Sequence, residues 1–385
     1  MNAGVRTAPV VVIGSGCIGA AIAYHLGRRG VKGVVVVERE IQSGAGSTGK
    51  CAGGIRQQFS SAVNVRLAQL SVKYFEHFAE EMDTGETFWQ VGYLFLLSDP
   101  GQWSAFQKQA EFQRALGVPT RTITPAEALA IVPELDLEGV LGATFCGTDG
   151  LGDPHMITHG FESKARALGA NFLFGVEATG LLMDGQRVTG VRTSQGDIAA
   201  PVVVNAAGAY AAQVAKWANV DLPVEPFRRH CFTTAPLPFV RDTLPMIVDM
   251  KTGVYMHRES GGMLLGLADK AEPPSFDQSV NWDFLESVVE PAMMRLPALA
   301  EAEVNNAWAG LYETTPDHNA ILGPPEGTPG LMLANGFSGH GFMMAPGVGQ
   351  LLAEWIVDGK PSFDLSDLRL ERFREQSVLV EANVI

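Results

Sequence analysis

The sequence predicts an α/β protein of two domains, and three stretches carry that prediction. A valine-rich run near the start enters a set of spaced glycines. A second glycine-rich loop follows an acidic residue and ends in arginine. A third, near residue 340, runs into an apolar helical pattern. At 385 residues the chain is long for one hydrophobic core, so two domains that need not be contiguous are expected.

The first stretch, residues 9–38, reads PVVVIGSGCIGAAIAYHLGRRGVKGVVVVE. Val10 to Ile13 is an uninterrupted apolar run, the pattern of a strand buried on both faces of a parallel sheet. Gly14, Gly16 and Gly19 follow as G-x-G-x-x-G. Ala20, Ala21, Ile22, Ala23 and Leu26 then have helical spacing, ending at Gly27 or Gly30. Val34 to Val37 reads as a second strand that closes on Glu38. Each part has a physical task in a dinucleotide site. Gly14 permits the tight turn, Gly16 lets a pyrophosphate approach the backbone, and Gly19 lets helix and strand pack closely. The helix N-terminus attracts phosphate, and Glu38 accepts from ribose hydroxyls.

The second stretch is Ser43-Gly44-Ala45-Gly46-Ser47-Thr48-Gly49-Lys50-Cys51-Ala52-Gly53-Gly54-Ile55-Arg56. A dehydrogenase reading NAD needs no such loop after its acidic residue. A longer cofactor whose ring system crosses the domain needs close backbone approach there. A further element, PVVVNAAGAYAA at 201–212, reads as a buried strand, a small-residue turn and a helix start that returns to the same dinucleotide fold. Together these favour FAD over NAD. Residues 253–266, GVYMHRESGGMLLG, read as two short strands around a Ser-Gly-Gly turn.

Charge and composition exclude other classes. Lys plus Arg number 28 against 42 Asp plus Glu, a net charge of −14, which argues against nucleic acid as a partner. No apolar run approaches the roughly 20 residues that span a bilayer, and the first residues read as a strand rather than a signal peptide. Cys17, Cys51, Cys146 and Cys231 form no CxxC pair, so reduced thiols and a cytoplasmic setting are expected. His155 and His159 could share a helix face, but no third ligand accompanies them and no metal site is expected.

The chain resembles the D-amino-acid oxidase superfamily of flavoproteins, in the branch of glycine oxidase, sarcosine oxidase and the beta subunits of proline dehydrogenase and sarcosine oxidase. The resemblance rests on the first glycine motif with Glu38, GSTGKCAGGIRQQF, GYLFLL at 92–97, VVNAAGAYA, WAGLYETTPDHNAILGP at 308–324 and GFSGHGFMMAPGVG from 336. It implies an FAD-binding Rossmann-like domain (1–89, 146–217 and 323–385) interleaved with a substrate domain (90–145 and 218–322) built on a mostly antiparallel sheet, α/β in class and α+β overall. It implies cofactor contacts from Gly14, Gly16, Cys17, Ile18, Gly19, Glu38, Arg39, Gly46, Ser47, Thr48, Cys51, Gly53, Gly54, Val176, Ala207, Gly208, Gly310, Gly336, Gly339, His340, Gly341, Phe342 and Met343. A helix starting near Met344 would aim its positive end at the flavin, where reduced flavin is anionic.

The resemblance further implies oxidation of the carbon–nitrogen bond of an amine or amino acid, an activity of EC 1.5 or 1.4 type. Arg56 is the implied carboxylate anchor. Tyr255 and Tyr312 are implied to face the substrate, with His340 beside the flavin. Gly310 stands where sarcosine oxidase bonds covalently to FAD through cysteine, so non-covalent FAD is expected. Met343 replaces a carboxylate-binding lysine, which points to a more apolar or larger substrate. The GGMLLG strand lacks an oxygen-activating lysine, which favours a dehydrogenase with a partner acceptor over an oxidase. Pro154 falls where a relative links FMN, so a second covalent flavin is not expected. A proline- or sarcosine-like secondary amino acid is the expected substrate. The competing readings are an oxygen-using amino-acid oxidase of the same family, an FAD-carrying subunit that works only with a partner chain, and a nicotinamide enzyme using only the first motif.

Overall fold

The computed structural model describes residues 6–375 and 378–383. Val10–Ile13 forms a strand because four β-branched residues are buried on both faces. Val10 and Val12 point into one apolar core, Val11 and Ile13 into another. The strand belongs to a six-stranded sheet in the order Asn171–Phe174, Val35–Glu38, Val10–Ile13, Val202–Asn205, Leu331–Asn335, Ile321–Gly323. The first five strands run parallel and the last pairs antiparallel at the edge.

Helices Cys17–Arg28, Ala62–Glu76, Pro154–Ala167 and Gly341–Asp358 cover one face of this sheet. A sheet ordered Arg6–Thr7, Gly196–Ala199, Arg187–Thr193, Ala178–Asp184 covers the other, burying Val188, Val191 and Ile198 against it. Close approach between elements needs glycine at two positions. A methyl on Gly19 would overlap the Gly14 carbonyl, and one on Gly349 would lie 2.9 Å from Ala21 Cβ.

The eight-stranded sheet runs Val304–Thr314, Glu225–Thr234, Gly262–Leu267, Tyr255–Glu259, Met246–Asp249, Tyr93–Leu97, Gly142–Cys146, Arg121–Ile123. All neighbours are antiparallel except Met246–Asp249 beside Tyr93–Leu97. This is the mostly antiparallel sheet expected. Its hairpin turns at Ser260 (φ 51°) and Gly261 (φ 80°), the left-handed pair that matches strand twist.

A small sheet joins Gly54–Ile55 and Phe88–Trp89 to Gly150–Gly152, at the seam of the two larger sheets. Among the described residues no helix is long and apolar enough to cross a membrane.

Two boundaries differ from the sequence expectation. The second strand spans Val35–Glu38 rather than Val34–Val37. The last long helix begins at Gly341, three residues before Met344. Apolar periodicity starts only where packing residues repeat, whereas the first turn (G-F-M-M) is helical without a pattern of its own. The Met344 amide already bonds the His340 carbonyl at 3.2 Å.

Candidate active site

The C-terminal ends of the parallel strands converge on a cavity of about 360 Å³. Gly14 (φ 102°) makes the turn after the first strand, where any Cβ would strike the Ala206 backbone. Helix Cys17–Arg28 starts beside this turn, its first amide taken by Thr48 Oγ1, and Gly16, Cys17 and Ile18 line the cavity at its N-terminus. Glu38 lines it from the second strand. Its carboxylate accepts from the Ser15 amide (2.7 Å) and the Glu40 amide (3.0 Å), which fixes its direction and leaves lone pairs toward the cavity.

The Arg39 guanidinium lies 3.8 Å above the Tyr210 ring, and Tyr210 stacks on Phe276 at 4.7 Å. That stack walls the far end beside Val176, Ala207 and Gly208. The Ala207 turn is held by Asn205, whose Nδ2 donates to the Ala211 carbonyl (2.9 Å) and whose Oδ1 accepts from the Ala207 amide (3.2 Å).

The second glycine-rich loop supplies Gly46, Ser47, Thr48 and Cys51. It is tied inward at two points. Thr48 Oγ1 accepts from the Cys17 amide at 3.1 Å, and Ser47 Oγ donates to the Leu311 carbonyl at 2.6 Å. Leu311, Tyr312 and Glu313 bring the eight-stranded sheet to the cavity, and Phe337, Gly339, Gly341 and Phe342 bring the start of the last helix.

A smaller pocket of about 50 Å³ adjoins it, lined by Gly53, Gly54, Arg56, Tyr93, Met246, Tyr255, His340 and Met343. Cys51, Tyr312, Gly339 and Phe342 line both spaces. Arg56 is 1% exposed. It donates through Nη1 to the Gln58 carbonyl (2.5 Å), and through Nη2 to the Asn383 carbonyl and to His340 Nε2 (3.1 Å). Burial, then the neighbouring Arg56 charge, holds the His340 imidazole well below its usual range. It is therefore neutral, and Nε2 is the acceptor. Burial raises the Tyr255, Tyr312 and Tyr93 phenols, so all three remain protonated donors at neutral pH. Tyr255 fits because Gly266 on the next strand has no side chain, and its Oη lies 3.7 Å from Cys231 Sγ.

Three sequence-predicted residues line neither space. Gly19 serves packing between helix and strand. Gly310 faces Lys50, where a methyl would lie 2.9 Å from its Cβ. Gly336 (φ 70°) makes a turn against Thr315. His155 and His159 are both exposed on helix Pro154–Ala167, and among the described residues no cluster of three or more metal-type side chains occurs. All four cysteines are free thiols.

Several residues escaped sequence reasoning. Glu313 is 9% exposed, lines the large cavity, and is raised by burial to about 7. Its only sequence signal was a charged residue next to Tyr312 in a strand bound for the core. Tyr93 and Met246 come from the eight-stranded sheet. Asp149 is fully buried and raised by burial to about 6. It accepts from the Gln57 amide (2.9 Å), Gln57 Nε2 (3.2 Å) and Gln58 Nε2 (3.0 Å), and so shapes the loop that carries Arg56.

Residues 9–355 match the family described as DAO, FAD dependent oxidoreductase. The chain belongs to this family. Its fold superposes on L-proline dehydrogenase from P. horikoshii with a TM-score of 0.92 at 36% identity, covering 97% of this chain and 100% of that one. It superposes on glycine oxidase from Geobacillus kaustophilus with a TM-score of 0.86 at 27% identity, covering 95% and 99%.

By sequence it is 30% identical over 386 residues to mitochondrial dimethylglycine dehydrogenase of Mus musculus, and it spans 44% of that protein's length. It is 31% identical to FAD-dependent oxidoreductase domain-containing protein 1 of Xenopus laevis, spanning 85% of its length. The DAO family is FAD-dependent, and the donor set here fits that cofactor. The N-terminus of the first helix suits a pyrophosphate, the Glu38 carboxylate suits ribose hydroxyls, and a glycine-lined space before the last helix suits a flat ring.

Proposed function

We propose that the chain oxidises the carbon–nitrogen bond of a secondary or N-alkyl amino acid, proline- or sarcosine-like, as a dehydrogenase with non-covalently held FAD. The observation that carries this reading is the small pocket opening on the cofactor cavity, with a buried cation and three buried phenols around it. FAD supplies a hydride acceptor, and the chain's residues do the rest.

Arg56 offers the positive charge for a substrate carboxylate. Three of its five N–H groups are held by Gln58, Asn383 and His340, and Nε–H and the second Nη1–H remain for single charge-assisted bonds to a carboxylate. Tyr255 and Tyr312 orient the substrate by donating, with neutral His340 holding Arg56 in place. Met343 gives the pocket an apolar wall where a cation would favour a second carboxylate contact. Division of labour between segments 1–89, 146–217 and 323–385 and segments 90–145 and 218–322 follows from this reading.

Two features support the finer choices. Gly310 has no side chain and faces Lys50, so it offers no covalent tether. The strand Gly262–Leu267 carries no lysine near the pocket, which favours an acceptor other than oxygen.

The test is anaerobic bleaching of the bound flavin by a panel of L- and D-proline, hydroxyproline, sarcosine, glycine and N-methylated amino acids. Bleaching by the secondary amines, with slow recolouring in air, is the expected result. Fast recolouring overturns the dehydrogenase assignment. Yellow protein that no amine bleaches overturns the reading in favour of a subunit needing a partner.

A further inference from the structure

The reading of Arg56 as a carboxylate anchor leaves its orientation to be explained. A guanidinium in a cavity is a useful anchor only if its free N–H groups are held toward the ligand. Arg56 has one flank closed by carbonyl groups, and one of these comes from far along the chain. Nη2 donates to the main-chain carbonyl of Asn383, and Nη1 to that of Gln58. Asn383 Nδ2 donates to the same Gln58 carbonyl at 3.1 Å. The two carbonyls that grip Arg56 are therefore joined by the Asn383 side chain.

The segment that brings Asn383 there is built in. The Glu381 amide donates to the Asp317 carbonyl at 3.0 Å. Its carboxylate accepts from the Ser60 amide (2.9 Å), Asn64 Nδ2 (2.9 Å) and the Asn383 amide (3.1 Å). The Ala382 amide donates to Ser60 Oγ at 3.0 Å, and Asn319 Nδ2 donates to the Leu379 carbonyl. Glu381 and Asn383 are each 1% exposed. These hydrogen bonds make a fixed wall rather than a loose tail. The wall runs alongside residues 58–64, the stretch that follows Arg56 itself.

We propose that segment Leu379–Asn383 is a positioning element of the substrate pocket, with Asn383 fixing the Arg56 guanidinium so that its remaining N–H groups face a substrate carboxylate. Neither Asn383 nor Glu381 lines the pocket; both act through Arg56. The expected signature is therefore selective: affinity for carboxylate ligands falls, while affinity for an uncharged ligand of the same shape does not.

The test uses the FAD-loaded full chain and two probes that cannot be oxidised as substrates, pyrrole-2-carboxylate and its uncharged carboxamide. Each is titrated by its perturbation of the flavin absorbance. Asn383→Ala keeps the main-chain carbonyl on Arg56 and removes the Nδ2 bond that ties it to the Gln58 carbonyl; it should weaken carboxylate binding about fivefold, the worth of one neutral hydrogen bond, with carboxamide binding unchanged. Ser60→Ala, which removes only the Ala382 bond, should act in the same sense and less strongly, and it keeps the test open if Asn383→Ala loses FAD. Equal weakening of both probes by either variant overturns the proposal and makes the segment purely structural. Arg56→Gln separates the two layers of inference. If it weakens the carboxylate probe and the segment variants do not, the positioning role falls alone. If it has no effect, the anchor reading falls, and the proposal with it.

Discussion

Glu313→Gln should flatten the pH dependence of stability in the FAD-free protein. Glu313 lies in the large cavity with no ion-pair partner among the described residues, and burial raises its carboxyl from 4.5 to about 7. The sign follows from linkage. A carboxyl whose folded value exceeds its unfolded value binds its proton more tightly in the native state. Its contribution is complete below 4.5 and is lost as pH rises through 7.

Each unit of difference is worth about 1.4 kcal/mol. Between pH 4 and 8 the wild-type protein should therefore lose about 3 kcal/mol that the glutamine variant does not lose. Asp149 titrates in the same sense, raised by burial to about 6, but it is present in both proteins and cancels from the difference. The assay is urea unfolding at a series of pH values, read as the gap between the two proteins. Convergence at pH 4 and a gap of about 3 kcal/mol in favour of the variant at pH 8 supports the reasoning. Parallel curves at all pH values would refute it, because they would mean that the carboxyl reaches water or a cation in solution.

Two further substitutions test other layers. Gly19→Ala places a methyl inside the Gly14 carbonyl and 3.3 Å from Val12 Cγ1, so the first helix must move off its strand. We expect a loss of about 1–3 kcal/mol and weaker FAD binding, measured by flavin fluorescence on reconstituting the apoprotein. Arg372→Ala removes one half of the buried pair with Asp317 (2.8 and 3.0 Å, both side chains 1% exposed). Stranding that carboxylate should cost about 3–5 kcal/mol in chemical denaturation, and Asp317→Asn in the same chain should recover part of it.

The cofactor half of the site was legible because its signals are local. Gly14, Gly16, Glu38 and the Ala207-Gly208 turn each meet a backbone requirement set within a few residues, and such requirements show in a linear pattern. Gly19 was legible for the same reason, although its task is packing rather than contact. The substrate half was less legible. Tyr255 and Tyr312 came only through resemblance, since a tyrosine in an apolar strand reads equally well as core. Tyr93 and Met246 gave no signal, because they reach the pocket only through the order of the eight-stranded sheet. Glu313 was hidden by its neighbour: strand alternation would have placed it opposite Tyr312, yet both reach the cavity where the strand Val304–Thr314 ends. Arg56 was found as a charge. Its grip by Asn383 joins residues 327 apart, and no periodicity in the sequence could show it.

That long-range tie belongs to a wider pattern in how the two halves are fastened. The strand Val304–Thr314 belongs to the eight-stranded sheet, yet its ties run to the second glycine-rich loop. Trp308 Nε1 donates to the Lys50 carbonyl at 2.9 Å, and the Leu311 carbonyl accepts from Ser47 at 2.6 Å. Farther out, Lys50 Nζ donates to Gln278 at 2.5 Å, and Phe276 stacks on Tyr210. The sheet that lines the small pocket is thus pinned through its edge strand to the loop that lines the large one. On the proposed function this matters more than either site alone, because a reacting substrate carbon and the accepting ring must hold a near-contact geometry within a fraction of an ångström. Two domains joined by linkers would have to find that geometry at each encounter. Under the proposed interleaving the fold itself would hold it, and the residues common to both spaces (Cys51, Tyr312, Gly339 and Phe342) lie where the two spaces meet.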